Sequence, residues 1–219
     1  MEIFLRTMLI AHIAGGTLAL ITGLGAMFTT KGGTVHRRFG RFYFWSMTVV
    51  FISAVVLAIG HQRTFLFMVA FFSYYFTVRG YRILFLKNLG TSTRPSPIDW
   101  LISGISACFM IFLISWGVYT YINGQTMGVV GVVFSVLGST FVVRDIRQFK
   151  TKPERMHWWY GHIASMGGSY ISAVTAFTVV NINLPEFGWV LWILPTAIGT
   201  ILIGRTVRKY RLKFAPAGS

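Results

Sequence analysis

The sequence predicts an all-α, polytopic transmembrane bundle, and three observations carry that expectation. The chain is 54% hydrophobic and only 11% charged, whereas a soluble domain usually has about 25% charged residues. Its apolar residues fall into seven runs that approach or reach the roughly 20 residues needed to cross a bilayer. The short connections between runs alternate between basic and non-basic without a break. At 219 residues the chain suits one compact membrane domain, 1–219, not two.

The first run covers 8–28 and reads as a retained span, since no Ala-x-Ala cleavage site followed by a soluble domain is evident. The second begins in the basic turn Thr34–Arg41 and covers 39–60. The third covers 65–86, the fourth 98–121 and the fifth 127–143. The sixth is 158–180 and the seventh 189–203. The fifth and seventh are short, and Pro195 is expected to kink the seventh, so these two are the weakest spans on this reading. Trp158, Trp159, Tyr160, Trp189 and Trp192 sit at run ends, as interfacial anchors do.

The connections set the orientation. Lys31, Arg37, Arg38 and Arg41 fill the first, while the second is a tight His61-Gln62-Arg63. The third holds Arg79, Arg82, Lys87 and Arg94. The fourth has no basic residue, and the fifth has Arg144, Arg147, Lys150, Lys152 and Arg155. The sixth has only Glu186, and the tail carries Arg205, Arg208, Lys209, Arg211 and Lys213. By the positive-inside rule the N-terminus is outside and the C-terminus cytoplasmic. The net charge of +15 is then topology control and contact with anionic headgroups at the cytoplasmic face, not a nucleic-acid footprint. The expected location is a bacterial inner membrane.

Chemistry is narrowed by what is missing. The five acids Glu2, Asp99, Asp145, Glu154 and Glu186 lie at or beyond run ends, which argues against a coupled transporter with a mid-membrane carboxylate and against paired-carboxylate hydrolysis. Cys108 is the only cysteine, so neither a disulfide nor a cysteine metal motif is available. No Gly-x-Ser-x-Gly elbow is present.

Histidine remains. His12 lies inside the first run and His61 ends the second. His36 starts the second helix, and His157 and His162 flank the start of the sixth. From His12 to Phe28 a helix rises roughly 24 Å, so His12 and His36 cannot share a ligand. Gly15, Ala19 and Gly23 make a smooth face beside His12, suited to close helix packing or to a flat macrocycle. His162 is followed by Ser165, Met166, Ser169 and Tyr170 at helical spacing. His12 and His162, with His36 or His61 as second ligands, are the candidates for a haem b site with a redox role. Zinc held by His36, His157 and His162 is the alternative metal reading. Arg79 and Arg82, three residues apart, either contact propionate or phosphate or snorkel to headgroups. A transporter or small-molecule binder with a polar central cavity and a structural subunit are the other expectations, and a redox or membrane partner accompanies the first.

The pattern His12-x-x-Gly15, Ala19-Leu20, Gly23, Lys31-Gly32, His36-Arg37 and Gly40-Arg41, with a second block from His162 through Ala176-Phe177, resembles an uncharacterised family of bacterial integral membrane proteins. That resemblance covers most of the chain and implies a multi-span helical protein without an established activity. The His-Arg-x-x-Gly turn is also faintly similar to transmembrane b-type cytochromes.

Overall fold

A computed structural model of the chain describes residues 1–215. Those residues form seven α-helices: α1 Glu2–Phe28, α2 Thr34–Gly60, α3 Thr64–Arg82, α4 Pro97–Ile122, α5 Met127–Lys150, α6 His157–Asn181 and α7 Gly188–Phe214. A 3₁₀ turn, Ile83–Phe85, extends α3, and no strand occurs among the described residues. Six helices are long and apolar enough to cross a membrane; α3 is the exception.

This reverses the expectation about which runs are weak. The fifth run is a helix of 24 residues and the seventh one of 27. Arg144–Lys150 and Arg205–Lys213 end the hydrophobic signal but not the helix, because Arg, Lys and Gln are good helix formers. The seventh helix also continues through Pro195. By contrast α3 is 19 residues long and carries Arg79, Arg82 and three tyrosines. Its position explains that composition: α3 packs against α2, α4, α5 and α6. A helix surrounded by protein does not need a lipid-compatible surface.

The other six helices pair as hairpins, α1 with α2, α4 with α5 and α6 with α7, around α3. One apolar core joins Met68, Phe72 and Phe76 of α3 to Met110 and Leu113 of α4 and to Val130 and Phe134 of α5. Within it the Phe72 and Phe134 rings stack 4.9 Å apart. Glycines set how closely α4 and α5 approach: a Cβ on Gly117 would lie 2.8 Å from the Val132 nitrogen. A second core centres on Ala19, Tyr43 and Met47, with Met166, Tyr170 and Ala173 against it. The small-residue face of α1 is a packing surface here. A Cβ on Gly15 would lie 3.2–3.3 Å from Val49, Val50 and the Ser46 carbonyl, and one on Gly23 would strike the Tyr170 ring at 2.5 Å. On α7 only Leu191 is buried.

The alternation of chain direction gathers the basic connections and the C-terminal segment at one end, called the basic end below. Met1, His61, Asn123 and Asn181 mark the opposite end. There α2 stops in a tight turn in which Gln62 takes φ 53°, a left-handed conformation usually given to glycine. Its N–H donates to the Ile59 carbonyl and that of Arg63 to the Ala58 carbonyl.

Candidate functional site

The bundle opens at the end opposite the basic loops. α1 and α6 meet where Tyr170 lies over Gly23 and donates to the Leu20 carbonyl at 3.3 Å. Beyond that contact they part, and a cavity of roughly 1300 Å³ lies among α1, α2, α3 and α6, with Phe134 and Trp192 contributing to its wall. Small residues leave the room: Gly16, Ala54, Ala58, Ala173 and Ala176 all line it. A Cβ on Gly16 would meet nothing within 4 Å. Most of the wall is apolar. Thr175 lines the cavity, yet its hydroxyl is buried with no hydrogen-bond partner. Glu2, Arg6, His61 and Arg63 contribute near the helix ends. Arg6 and Leu20, both on the wall, are about 21 Å apart along α1 at 1.5 Å per residue.

His12 lines this cavity, and its Nδ1 lies 3.0 Å from Ser53 Oγ. The Ser53 hydroxyl has one proton, and it donates that proton to the carbonyls of its own helix, Val49 at 2.7 Å and Val50 at 3.0 Å. With its proton so placed, Ser53 accepts from the Nδ1–H of His12, the tautomer in which Nε2 keeps its lone pair. A hydrogen bond that fixes one ring nitrogen and leaves the other as donor is the arrangement metal-ligating histidines use. His61 also lines the cavity, but it lies eight residues beyond Ser53 on α2, about 12 Å along the axis. His12 and His61 are not brought to one point.

The other histidines sit at the basic end. The Nδ1–H of His36 donates to the Ala26 carbonyl at 2.9 Å, and that of His162 donates to the Gly80 carbonyl at 2.8 Å. The two ring centres are 6.3 Å apart, with planes at 70°. His157 differs: Nδ1 lies 2.9 Å from the Glu154 carbonyl and Nε2 3.0 Å from the Leu86 carbonyl. Both nitrogens are engaged in tying α6 to the segment after α3. The expected three-histidine zinc set is accordingly not assembled. Among the described residues no three His, Cys, Asp or Glu side chains gather as a metal group would need.

Arg79 and Arg82 do not snorkel, and the groups they meet are this chain's own carboxylates. Arg79 is 4% exposed. Its Nε donates to Asp145 Oδ1 at 2.7 Å, and Nη2 lies 2.6 Å from the same oxygen. Nη1 donates to Ser165 Oγ and to the Gly161 carbonyl, and the Tyr75 hydroxyl donates to Asp145 Oδ2 at 2.9 Å. Arg82 grips Asp99 with two hydrogen bonds, 2.9 and 3.1 Å. Asp99 also accepts from the Ser96 N–H at 2.8 Å, closing the N-terminus of α4. Between the two pairs lies a cavity of about 20 Å³, room for one water. Deeper, Ser169 Oγ lies 2.7 Å from the Tyr43 hydroxyl and 2.6 Å from Thr77 Oγ1.

Sequence reasoning missed Tyr75 and Ser53, placed Ser165 only beside His162, and set Asp145 at a run end without its partner. Asp145 sits in Arg144-Asp145-Ile146-Arg147 and reads as part of a basic loop, although it is 5% exposed and on α5. Its partner is 66 positions away, beyond any local pattern. Comparison of the chain with protein-family models, with curated proteins and with solved structures finds no match.

Proposed function

We propose that this multi-pass membrane protein binds an apolar molecule with an anionic end in the cavity between α1, α2, α3 and α6. The cavity carries the reading. Its volume, roughly 1300 Å³, exceeds the ~300–1,000 Å³ usual for small-molecule sites. An apolar body gains on burial against such a wall in proportion to its area. Near the helix ends Arg6, Arg63 and His61 stand against a single acid, Glu2, so the net field there favours a carboxylate or phosphate.

Haem b is the second reading, favoured by one observation: His12 offers Nε2 beside the open Gly16 face. His12 would hold a haem there. Arg6 lies six residues toward the helix end, about 9 Å along α1, and also lines the cavity, where it would pair with the haem's carboxylates. Purification in mild detergent, with an absorbance spectrum and mass spectrometry of the extract, separates the readings. A Soret band abolished by His12→Ala supports haem. A colourless protein carrying an anionic amphiphile that Gly16→Trp displaces supports the first reading. A ligand-free protein that takes up neither overturns both.

The sidedness belongs to the same proposal. The alternation of basic connections supports seven spans in a bacterial inner membrane, with the N-terminus and the cavity outside. The motifs around His12 and His36-Arg37 support the likeness to the bacterial membrane family. Reporter fusions after Thr126 and after Lys150 are expected on opposite sides, and a cytoplasmic signal from Thr126 overturns the orientation.

A further inference from the structure

The histidine pair at the basic end has no part in the cavity, and its chemistry is different. His36 and His162 come from helices that are far apart in sequence. Each spends its Nδ1–H on a backbone carbonyl, Ala26 for one and Gly80 for the other. A carbonyl only accepts, so each Nε2 is left with a lone pair. No hydrogen bond to either Nε2 occurs among the described residues. Neither ring is sealed, since both residues are partly exposed, and a cation can reach them from the basic end. Two imidazoles sharing one ion through Nε2 at N–metal distances of ~2.0–2.1 Å leave ring centres roughly 5 Å apart at a tetrahedral angle and roughly 6.3 Å apart in line. The observed separation, 6.3 Å, is that of a near-linear pair.

Met166 adds a soft donor. It lies one turn beyond His162 on the same face of α6. Its sulfur packs over Gly80, 3.1 Å from where a Cβ would stand, and the Gly80 carbonyl is the one that orients His162. We propose that His36 and His162, with Met166 beside them, form a binding site for a cuprous ion.

Three considerations select this ion. Zinc wants four ligands in a closed site, and His157, the expected third histidine, has both nitrogens engaged. Cu(I) is content with two or three ligands, and thioether with imidazole is a donor set that suits it. Charge points the same way. The Lys31 ammonium donates to the Ala26 carbonyl at 3.2 Å, the same oxygen that holds His36. A neighbouring positive charge penalises a divalent ion about twice as much as a monovalent one.

The test uses the full chain in detergent under reducing conditions, with Cu(I) presented against a chromogenic cuprous chelator. One Cu(I) per chain is expected. His36→Gln and His162→Gln, which keep an amide able to donate to the carbonyl, are expected to lose the ion. His12→Ala and His157→Gln are expected to retain it. Met166→Leu keeps the volume and is expected to weaken binding several-fold and to remove a sulfur neighbour from the X-ray absorption spectrum. Circular dichroism on every variant separates loss of metal from loss of fold. Should either glutamine variant unfold, the Met166→Leu spectrum decides alone. A wild-type chain that yields all Cu(I) to the chelator, or folded glutamine variants that still bind it, overturns the proposal. Uptake of Zn²⁺ in preference to Cu(I) does so as well.

Discussion

The two ends of the bundle treat their polar residues in opposite ways. At the basic end Arg79, Arg82, Asp99, Asp145 and His157 each find partners within the chain, on different helices or on the connecting segment. At the other end His12 has a single partner, Thr175 has none for its hydroxyl, and the helices diverge around open space. Buried charges that are paired hold helices in register, whereas polar groups beside a void hold nothing until something fills it. The paired charges around Arg79 and Arg82 are built to be rigid, and the cavity around His12 is built to receive.

Breaking the rigid end should have the largest effect. Asp145→Ala leaves the Arg79 charge buried and unpaired, and a loss of about 3–5 kcal/mol is expected in detergent unfolding. The double change Arg79→Met with Asp145→Leu should recover most of it, because two apolar side chains carry no stranded charge. A double variant as unstable as Asp145→Ala would mean the pair does more than satisfy itself.

The seam between the two ends comes next. Ala19 is fully buried against Tyr43 and Met47, so Ala19→Leu should cost about 1–3 kcal/mol by overpacking. Leu20 lines the cavity, and Leu20→Ala should cost less than Ala19→Leu. Equal losses would place the cavity floor elsewhere.

At the open end the changes should be small or favourable. Gln62→Gly relieves a left-handed residue and should stabilise by about 1 kcal/mol, read as a raised melting temperature. Gly16→Trp should move stability least, within about 0.5 kcal/mol, because its Cβ enters empty space. A large loss at Gly16 would show that the cavity collapses around this position in solution.

Much of the architecture was legible in the sequence. All seven apolar runs are helices, since a stretch of that length and composition has no other way to satisfy its backbone in lipid. Helix ends were less legible. Hydropathy stops at Val143 and Ile203, while the helices run on to Lys150 and Phe214, because charge ends an apolar run without ending the hydrogen-bond ladder. The histidines were found, but not their grouping. His36 and His162 meet through turns of the chain that spacing does not encode, and only the carbonyl contacts separate His157 from them. The Arg79–Asp145 pair was hidden for a related reason: each member sits among basic residues, and a local reading assigns both to a solvated edge.

The placement of α3 has a consequence for how the molecule comes into being. A chain is made from its N-terminus, so this helix exists before the helices that enclose it. Arg82 waits 17 residues for Asp99, and Arg79 waits 66 for Asp145. Until α5 has been synthesised, the one helix that falls short of a membrane-spanning hydropathy holds an uncompensated charge with nowhere dry to put it. Its final seating is therefore late, although its sequence is early, and the first hairpin must tolerate a loosely held neighbour for the time it takes to make two more helices.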